Sequence, residues 1–214
     1  VKMIHILENL KKRFEPFLNI KDVVGIDIST RADSINDEIL NYLEELNNKT
    51  FLTVELGLQT IHEKTRKELN RFEDLEDIVK ATKELKKRNI NTVVHIINGF
   101  KNETKEDMLE TIEFVNNLGV DGVKIHMLFI EKGTQLSKEY LKNPFHILTL
   151  TEFVDIVCDQ IELLNKNIIL YRLTGDPNKE LTIEPKWTHK KFVVLNEIDK
   201  ELKRRNSFQG IKSK

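Results

Sequence analysis

Two segments of the sequence join polar side chains and a glycine to the end of an apolar run. They are residues 54–60 and 94–100. Their polar residues and glycines are Glu55, Gly57, Gln59, Thr60, His95, Asn98 and Gly99. A helical pattern follows each segment. Ligands and catalytic groups of a β/α barrel lie where its strands end, because the loops there converge over the barrel mouth. The two segments therefore predict part of a barrel enzyme.

Polar side chains recur on one face of five predicted strands. Side chains alternate between the two faces of a strand, so residues of one parity share a face. That parity carries Asp27, Ser29, Thr53, Glu55, Gly57, His95, Lys124, His126 and Tyr171. The clustering of these polar side chains on five strands favours a ligand cavity. Any one of them, taken alone, is equally consistent with a layer of hydrogen-bonded polar side chains that merely fills the barrel. We expect Glu55 or Asp27 to pair with Lys124, because buried charges are rarely unpaired.

The opposite parity is apolar and is expected to pack against helices. It carries Val24, Ile26, Ile28, Leu52, Val54, Leu56, Val94, Ile96, Val123, Ile125 and Met127. The patterns predict strands over 22–28, 51–56, 92–97, 122–127 and 168–173, and helices over 3–15, 36–47, 75–88, 104–118, 149–164 and 192–205. Asp33 or Ser34 is the expected cap of the second helix. For residues 129–148 we expect a long ordered loop or a short helix. The alternation predicts a parallel sheet with right-handed crossovers and helices outside.

Composition limits the class of protein. The chain has 214 residues, 39% of them hydrophobic and 32% charged, with a formal net charge of −1. One globular domain is expected at this length, and no general attraction to nucleic acid or acidic membranes follows from the charge. Residues 186–214 nevertheless carry nine Lys and Arg against three acids. This tail is interpreted either as a solvated helix end or as an RNA-contacting segment.

The single cysteine, Cys158, lies in a helical pattern and predicts a buried structural thiol rather than a catalytic one. Without a second cysteine the chain forms no internal disulfide, which is typical of a reducing cytoplasm. No apolar run approaches the length of a membrane span. The histidines show no ligand spacing, so no metal site is predicted within the chain.

Several segments together resemble the radical SAM superfamily. They are residues 24–33, 54–60, 70–71, 95–99, 124–134 and 171–176. The similarity is to its YhcC-like branch, which is related to the Elongator catalytic subunit. It implies an α/β fold, a partial (βα)6 TIM-like barrel with about four parallel core strands and a C-terminal extension. Residues 1–148 would be the C-terminal portion of the barrel, and residues 149–214 a helix–strand–helix extension packed on the same domain.

The resemblance also implies a cofactor site for S-adenosyl-L-methionine. Asp27 matches the acid that contacts the ribose, Gln59 the Gln of a G-x-Q motif, and Arg71 the Arg that pairs with the methionyl carboxylate. His95 would lie near the adenosine, and Gly99 would let the backbone approach the adenine. Glu55 completes the expected cofactor-binding set. No catalytic residue is assigned.

Two loops depart from the family pattern. Residues 72–74 are Phe-Glu-Asp where the family usually has Gly-His-Asp, and residues 100–102 are Phe-Lys-Asn where it usually has Leu-Pro-Gly. A 4Fe-4S iron–sulfur cluster is implied, with its three cysteine ligands upstream of this chain, which makes the fragment by itself inactive.

The resemblance implies an enzyme that cleaves S-adenosyl-L-methionine to a 5′-deoxyadenosyl radical, with tRNA wobble uridine as the expected substrate class. Flavodoxin or ferredoxin is the expected electron donor, and the cytoplasm the expected location. The alternative is a non-catalytic barrel half that acts as a binding or scaffold module.

Overall fold

The computed structural model describes residues 2–71 and 73–213, with side chains from Leu7 onward. A five-stranded parallel sheet forms its centre, in the order β1-β2-β3-β4-β6. Its strands are β1 (Gly25–Thr30), β2 (Phe51–Gln59), β3 (Asn91–Asn98), β4 (Gly122–Met127) and β6 (Ile169–Arg172). The five strands of this sheet follow one another in the same order in the chain and in space, so the predicted parallel α/β arrangement is confirmed.

Helices connect the strands and cover one face of the sheet. They are α1 (Lys2–Phe14), α2 (Asp37–Asn47), α3 (Glu63–Glu68), α4 (Leu75–Lys87), α5 (Lys105–Leu118), α6 (Gln135–Lys142), α7 (Leu150–Leu163) and α8 (Lys191–Arg204). Thr104 and Asp107 form a capping box at the start of α5, and Gly119 ends that helix with a φ of 80°. The cap expected at Asp33 or Ser34 was wrong: Asn36 accepts the Ile39 N–H at the start of α2.

The apolar parity of the strands forms the core with the helices. Ile28, Val54, Leu56, Val94 and Ile125 are all buried there, as expected for this face. Val24 was placed on the same face incorrectly. It is 87% exposed because β1 begins only at Gly25, so Val24 precedes the sheet.

Among the short elements that sequence reasoning missed are two strands and one helix. Strands β5 (Ile130–Glu131) and β7 (Thr182–Glu184) pair antiparallel outside the main sheet. Helix α3 follows β2, and α6 is the short helix expected as one possibility for residues 129–148. Elements of two to eight residues carry too few periods for a pattern to stand out.

The last third of the chain joins the same sheet and helical layer. β6 pairs with β4, and α8 packs on α7, where Val194 and Ile198 are buried. Arg205 directly follows α8. It donates to Asp155 and Asp159 on α7 and to Glu201 on α8. The proposed division at residue 148 stays a prediction.

Cys158 is fully buried on α7, and burial raises its pKa to about 11. A thiol in this state is protonated at neutral pH and is not nucleophilic. The prediction of a buried structural cysteine is therefore confirmed.

Candidate functional site

Glu55 is the centre of a polar cluster on the face of the sheet opposite the core. Its side chain is 4% exposed. The Ser29 hydroxyl and the His95 ring nitrogen Nε2 approach Oε2 at 3.0 Å and 2.7 Å, and the Lys124 ammonium pairs with Oε1. The expected Glu55–Lys124 pair, reaching across β3, is confirmed. Strands β1 to β4 each contribute one of these side chains, so their parallel register assembles the cluster.

Asp27 and Glu55 are neighbouring carboxyls whose pKa values are displaced in opposite directions, so Asp27 takes up a proton first, below a pH of about 6. Burial, together with the hydrogen bond and charge of Glu55, raises the pKa of Asp27 to about 6. Burial opposes ionisation of Glu55 as well, but hydrogen bonds from Asp27, Lys124 and His95 outweigh it and lower its pKa to about 2. Two adjacent carboxyls with separated pKa values are a donor and an acceptor side by side, an arrangement suited to binding hydroxyl groups.

The two imidazoles of the cluster are neutral. His95 and His126 stack with ring centroids 5.3 Å apart. Burial lowers the pKa of His95 despite the hydrogen bond to Glu55. Burial also lowers the pKa of His126 to about 4, together with the neighbouring His95 ring and the charges of Arg172 and Lys124. Neutral His95 therefore donates from Nε2 to Glu55. The buried Nε2 of His126 has no hydrogen-bond partner among the described residues.

A second group of polar side chains lies on the same face of the sheet, near the start of β3. Asn91 donates from Nδ2 to the Thr53 hydroxyl at 2.9 Å and to the Tyr171 hydroxyl at 3.0 Å. The Tyr171 ring lies over Gly122, where a Cβ would come within 2.4 Å of the ring. Glycine at 122 is therefore required for Tyr171 to cross the sheet face. Asn91 was missed from the sequence because it stands at the very start of β3.

Arg71 lies beside the end of β2. Its Nη2 donates to the Gly57 carbonyl and pairs with Glu73, whose side chain is only 1% exposed. Within the part of the chain that the structure describes, Nη1 and Nε have no hydrogen-bond partner. Burial and the charges of Arg66 and Arg31 lower the pKa of Arg71. One edge of the guanidinium is thus fixed by Gly57 and Glu73, and the other edge can receive a carboxylate.

Gln59 and Gly99 end their strands in unusual backbone conformations. Gln59 has a φ of 66° and follows a register shift between Gly57 and Gln59, and a Cβ on Gly57 would lie only 2.8 Å from the Gln59 Nε2. Gly99 has a φ of 98° and lies against Leu148. Gly57 pairs in register with His95, so Arg71 and Gln59 adjoin the Glu55 cluster. Gly99 follows the neighbouring strand.

Among the described residues, His62, Asp107 and Glu110 form a group that could hold a metal ion. One potential ligand atom from each lies within 4.8 Å of the other two. Two of these residues are already used locally. His62 Nε2 lies 2.8 Å from the Asp107 carbonyl, and the Asp107 carboxylate caps α5 by accepting the Thr104 N–H. His62 and Asp107 are therefore explained by the helix cap.

The basic tail keeps little free positive charge. Lys200, Lys203 and Arg204 pair with acids one turn earlier on α8, and Lys212 pairs with Glu162 on α7. Such exposed pairs neutralise the face that carries them. This favours the solvated helix end over the RNA-contacting segment.

Two family models match the chain in succession. Residues 2–115 match the Radical SAM superfamily, and residues 120–204 match the Radical_SAM C-terminal domain. The chain belongs to the radical SAM superfamily.

Curated relatives place it in the expected branch. Protein YtqA of Bacillus subtilis is 44% identical over 204 residues, which are 95% of this chain and 63% of YtqA. YhcC of Escherichia coli is 27% identical over 194 residues, 90% of this chain and 63% of YhcC. A tRNA uridine(34) acetyltransferase of Methanocaldococcus infernus is 25% identical over 156 residues, 72% of this chain and 29% of that protein. The chain thus spans less than two thirds of the length of these relatives.

A solved structure agrees on the fold. The archaeal Elp3 of Methanocaldococcus infernus, with residues 1–46 deleted, superimposes with a TM-score of 0.75 at 20% identity, covering 87% of this chain and 43% of that one. The partial radical SAM barrel is therefore confirmed as the fold, and the relation to the YhcC and Elongator proteins as the family.

The superfamily implies S-adenosyl-L-methionine and a 4Fe-4S cluster as cofactors. The free edge of Arg71 and the Asp27–Glu55 pair suit the carboxylate and the hydroxyls of S-adenosyl-L-methionine. The cluster does not fit these residues, because the one thiol, Cys158, is buried on α7. Across residues 2–71 and 73–213 no helix has the length and apolar character needed to cross a membrane.

Proposed function

We propose that this chain is the S-adenosyl-L-methionine-binding part of a radical SAM enzyme. Arg71 carries the proposal, because its guanidinium lies at the strand end with one edge fixed by Gly57 and Glu73 and the other open. In this assignment the open edge binds the methionyl carboxylate, and Asp27 with Glu55 binds the ribose hydroxyls. His95 lies near the adenosine, Gln59 contacts the cofactor from the end of β2, and Gly99 admits the adenine to the backbone.

The bound cofactor and a cluster, held by cysteines outside this chain, would supply a 5′-deoxyadenosyl radical, with an electron from a flavodoxin or ferredoxin. The residues of this chain orient the cofactor and exclude water. Lys124 and neutral His95 keep Glu55 ionised, so that it accepts hydrogen bonds from hydroxyl groups, and Asp27 can donate one when it is protonated, below a pH of about 6.

We further propose tRNA wobble uridine as the substrate class. Similarity to a protein named tRNA uridine(34) acetyltransferase supports this proposal. Binding of a tRNA with uridine at position 34, compared with the same tRNA carrying cytidine there, tests it. Equal affinity and equal modification of the two would remove wobble uridine from the proposal.

Arg71→Ala, made in the full-length protein with its cluster reconstituted, is the direct test of cofactor binding. We expect its affinity for S-adenosyl-L-methionine to fall by about 1.5–3 kcal/mol, the worth of a hydrogen bond to a charged group, or roughly ten- to 150-fold. Arg204→Ala is the matched control, since that arginine is exposed on α8. Equilibrium binding gives both values, and iron absorption should be unchanged in both variants.

An unaltered affinity in Arg71→Ala would exclude this residue from the site. The alternative, a non-catalytic scaffold module, predicts that the full-length protein binds no cluster and does not cleave S-adenosyl-L-methionine with dithionite.

A further inference from the structure

Arg66 is a buried cation with no acid in contact. It lies on α3 and is 5% exposed. Among residues 2–71 and 73–213, no carboxylate lies within ion-pair distance of its guanidinium. Burying a charge in this way is costly unless its donors are fully used, so the contacts that Arg66 makes identify its role.

Its donors bind backbone carbonyls of two different segments. Nη1 donates to the carbonyls of Leu58 at 3.2 Å and Thr60 at 3.1 Å, which flank Gln59 at the end of β2. Nη2 donates to the Glu73 carbonyl at 2.7 Å, in the loop after α3. One guanidinium therefore ties the end of β2 to this loop.

The tied loop carries Arg71. The Arg71 N–H donates to the Arg66 carbonyl at 2.9 Å. On the other side, the Glu73 carboxylate pairs with the Arg71 side chain and accepts the Ala32 N–H at 3.2 Å, at the end of β1. The backbone of Arg71 is held by the main-chain carbonyl of Arg66, while the Arg66 side chain acts at the next turn of the loop, on the Glu73 carbonyl, and the Glu73 carboxylate holds the Arg71 side chain. Both anchors are nearly inaccessible to solvent, which fixes the direction of the Arg71 guanidinium.

We propose that Arg66 is a positioning residue for Arg71. It makes no contact with the ligand, and it sets the loop so that the open edge of Arg71 faces the carboxylate of S-adenosyl-L-methionine. This inference rests on the proposed function of Arg71. It also explains a glutamate at position 73, because its carboxylate pairs with the Arg71 side chain and accepts the Ala32 N–H.

The role requires arginine in particular. Its planar fork presents two nitrogens that reach three carbonyls at once, while a lysine ammonium is one point on a flexible stem. Arg66→Lys keeps the positive charge and loses the fork. The loop then moves relative to β2, and Arg71 loses its alignment.

The test compares two ligands in the full-length, cluster-reconstituted protein. S-Adenosyl-L-methionine carries the carboxylate, and decarboxylated S-adenosylmethionine lacks it. We expect Arg66→Lys to weaken binding of the first roughly tenfold, as for a misplaced contact, and to leave binding of the second unchanged. Arg71→Ala should show the same selective loss. Lys67→Met is the control, because this neighbouring cation of α3 is 72% exposed, and it should alter neither affinity.

Each other result overturns a defined part of the argument. Equal weakening of both ligands in Arg66→Lys, or no change in either, means that Arg66 does not position Arg71. If Arg71→Ala itself fails to distinguish the ligands, the proposed carboxylate contact is wrong, and the role of Arg66 falls with it. Arg66→Met, with its thermal midpoint recorded, repeats the comparison if the Lys variant unfolds.

Discussion

Removing the Lys124 ammonium tests the polar cluster most directly. Glu55 is 4% exposed and Lys124 17% exposed, so the pair lies largely out of water. Lys124→Met leaves the carboxylate buried with Ser29 and His95 as neutral donors. Loss of one partner of a buried pair costs about 3–5 kcal/mol. The remaining donors place the expected loss at the lower end, about 3 kcal/mol.

A double-mutant cycle separates the pair from its surroundings. Urea unfolding at pH 7 gives the free energies for Lys124→Met, Glu55→Gln and the double variant. We expect the double variant to lose less stability than the sum of the single variants, by at least about 1 kcal/mol. Lys86→Met is the matched control. Its partner Asp121 is 30% exposed, so it should lose no more than about 1 kcal/mol.

The same variant should change the two imidazoles. The charge of Lys124 lowers the pKa of both His95 and His126. Both pKa values should therefore rise in Lys124→Met, as measured by NMR titration of the ring protons. Strictly additive free energies, or unmoved histidine titrations, would refute the account of the cluster.

Three further outcomes are expected. Because the pKa of His126 falls from 6.5 to about 4 on folding, its contribution is complete above pH 6.5 and is lost as the pH falls through 4. Wild type should thus lose up to about 3 kcal/mol more than His126→Gln over this range, and parallel urea curves would contradict this. Gly99→Ala should cost about 1–2 kcal/mol, and more than Gly133→Ala, since a Cβ at 99 meets Leu148 at 3.1 Å and one at 133 meets nothing; equal losses would disprove the contact. Cys158 should not react with a thiol reagent at pH 8 until the protein unfolds, and rapid labelling of the native state would show that it is accessible.

Much of the sheet and its polar face could be predicted from the sequence. The strand–helix alternation predicted the parallel order, and the period of two predicted that Glu55, His95 and Lys124 share a face. These predictions succeed because side chains alternate between the two faces of a strand, so the position of a residue in the strand determines which face of the sheet its side chain is on. Val24 failed because the period does not show where a strand begins.

The arginine arrangement could not be predicted in this way. Arg66 lies in a six-residue helix, and its partners are carbonyls of residues whose types are irrelevant to the contact. Glu73 was seen in the sequence only as a departure from the family pattern. Its contacts with Arg71 and Ala32 join the ends of two strands.

By itself, the sequence determined the fold class, the polar face of the sheet and the family, because these depend on local periodicity and on residues in a recognisable order. Tertiary structure alone decided how the charges are satisfied. It raised the pKa of Asp27 while lowering that of Glu55, left the His126 nitrogen without a partner among the described residues, and fixed one edge of Arg71. Burial and distance govern protonation and hydrogen bonding, and both arise only when separate segments of the chain meet.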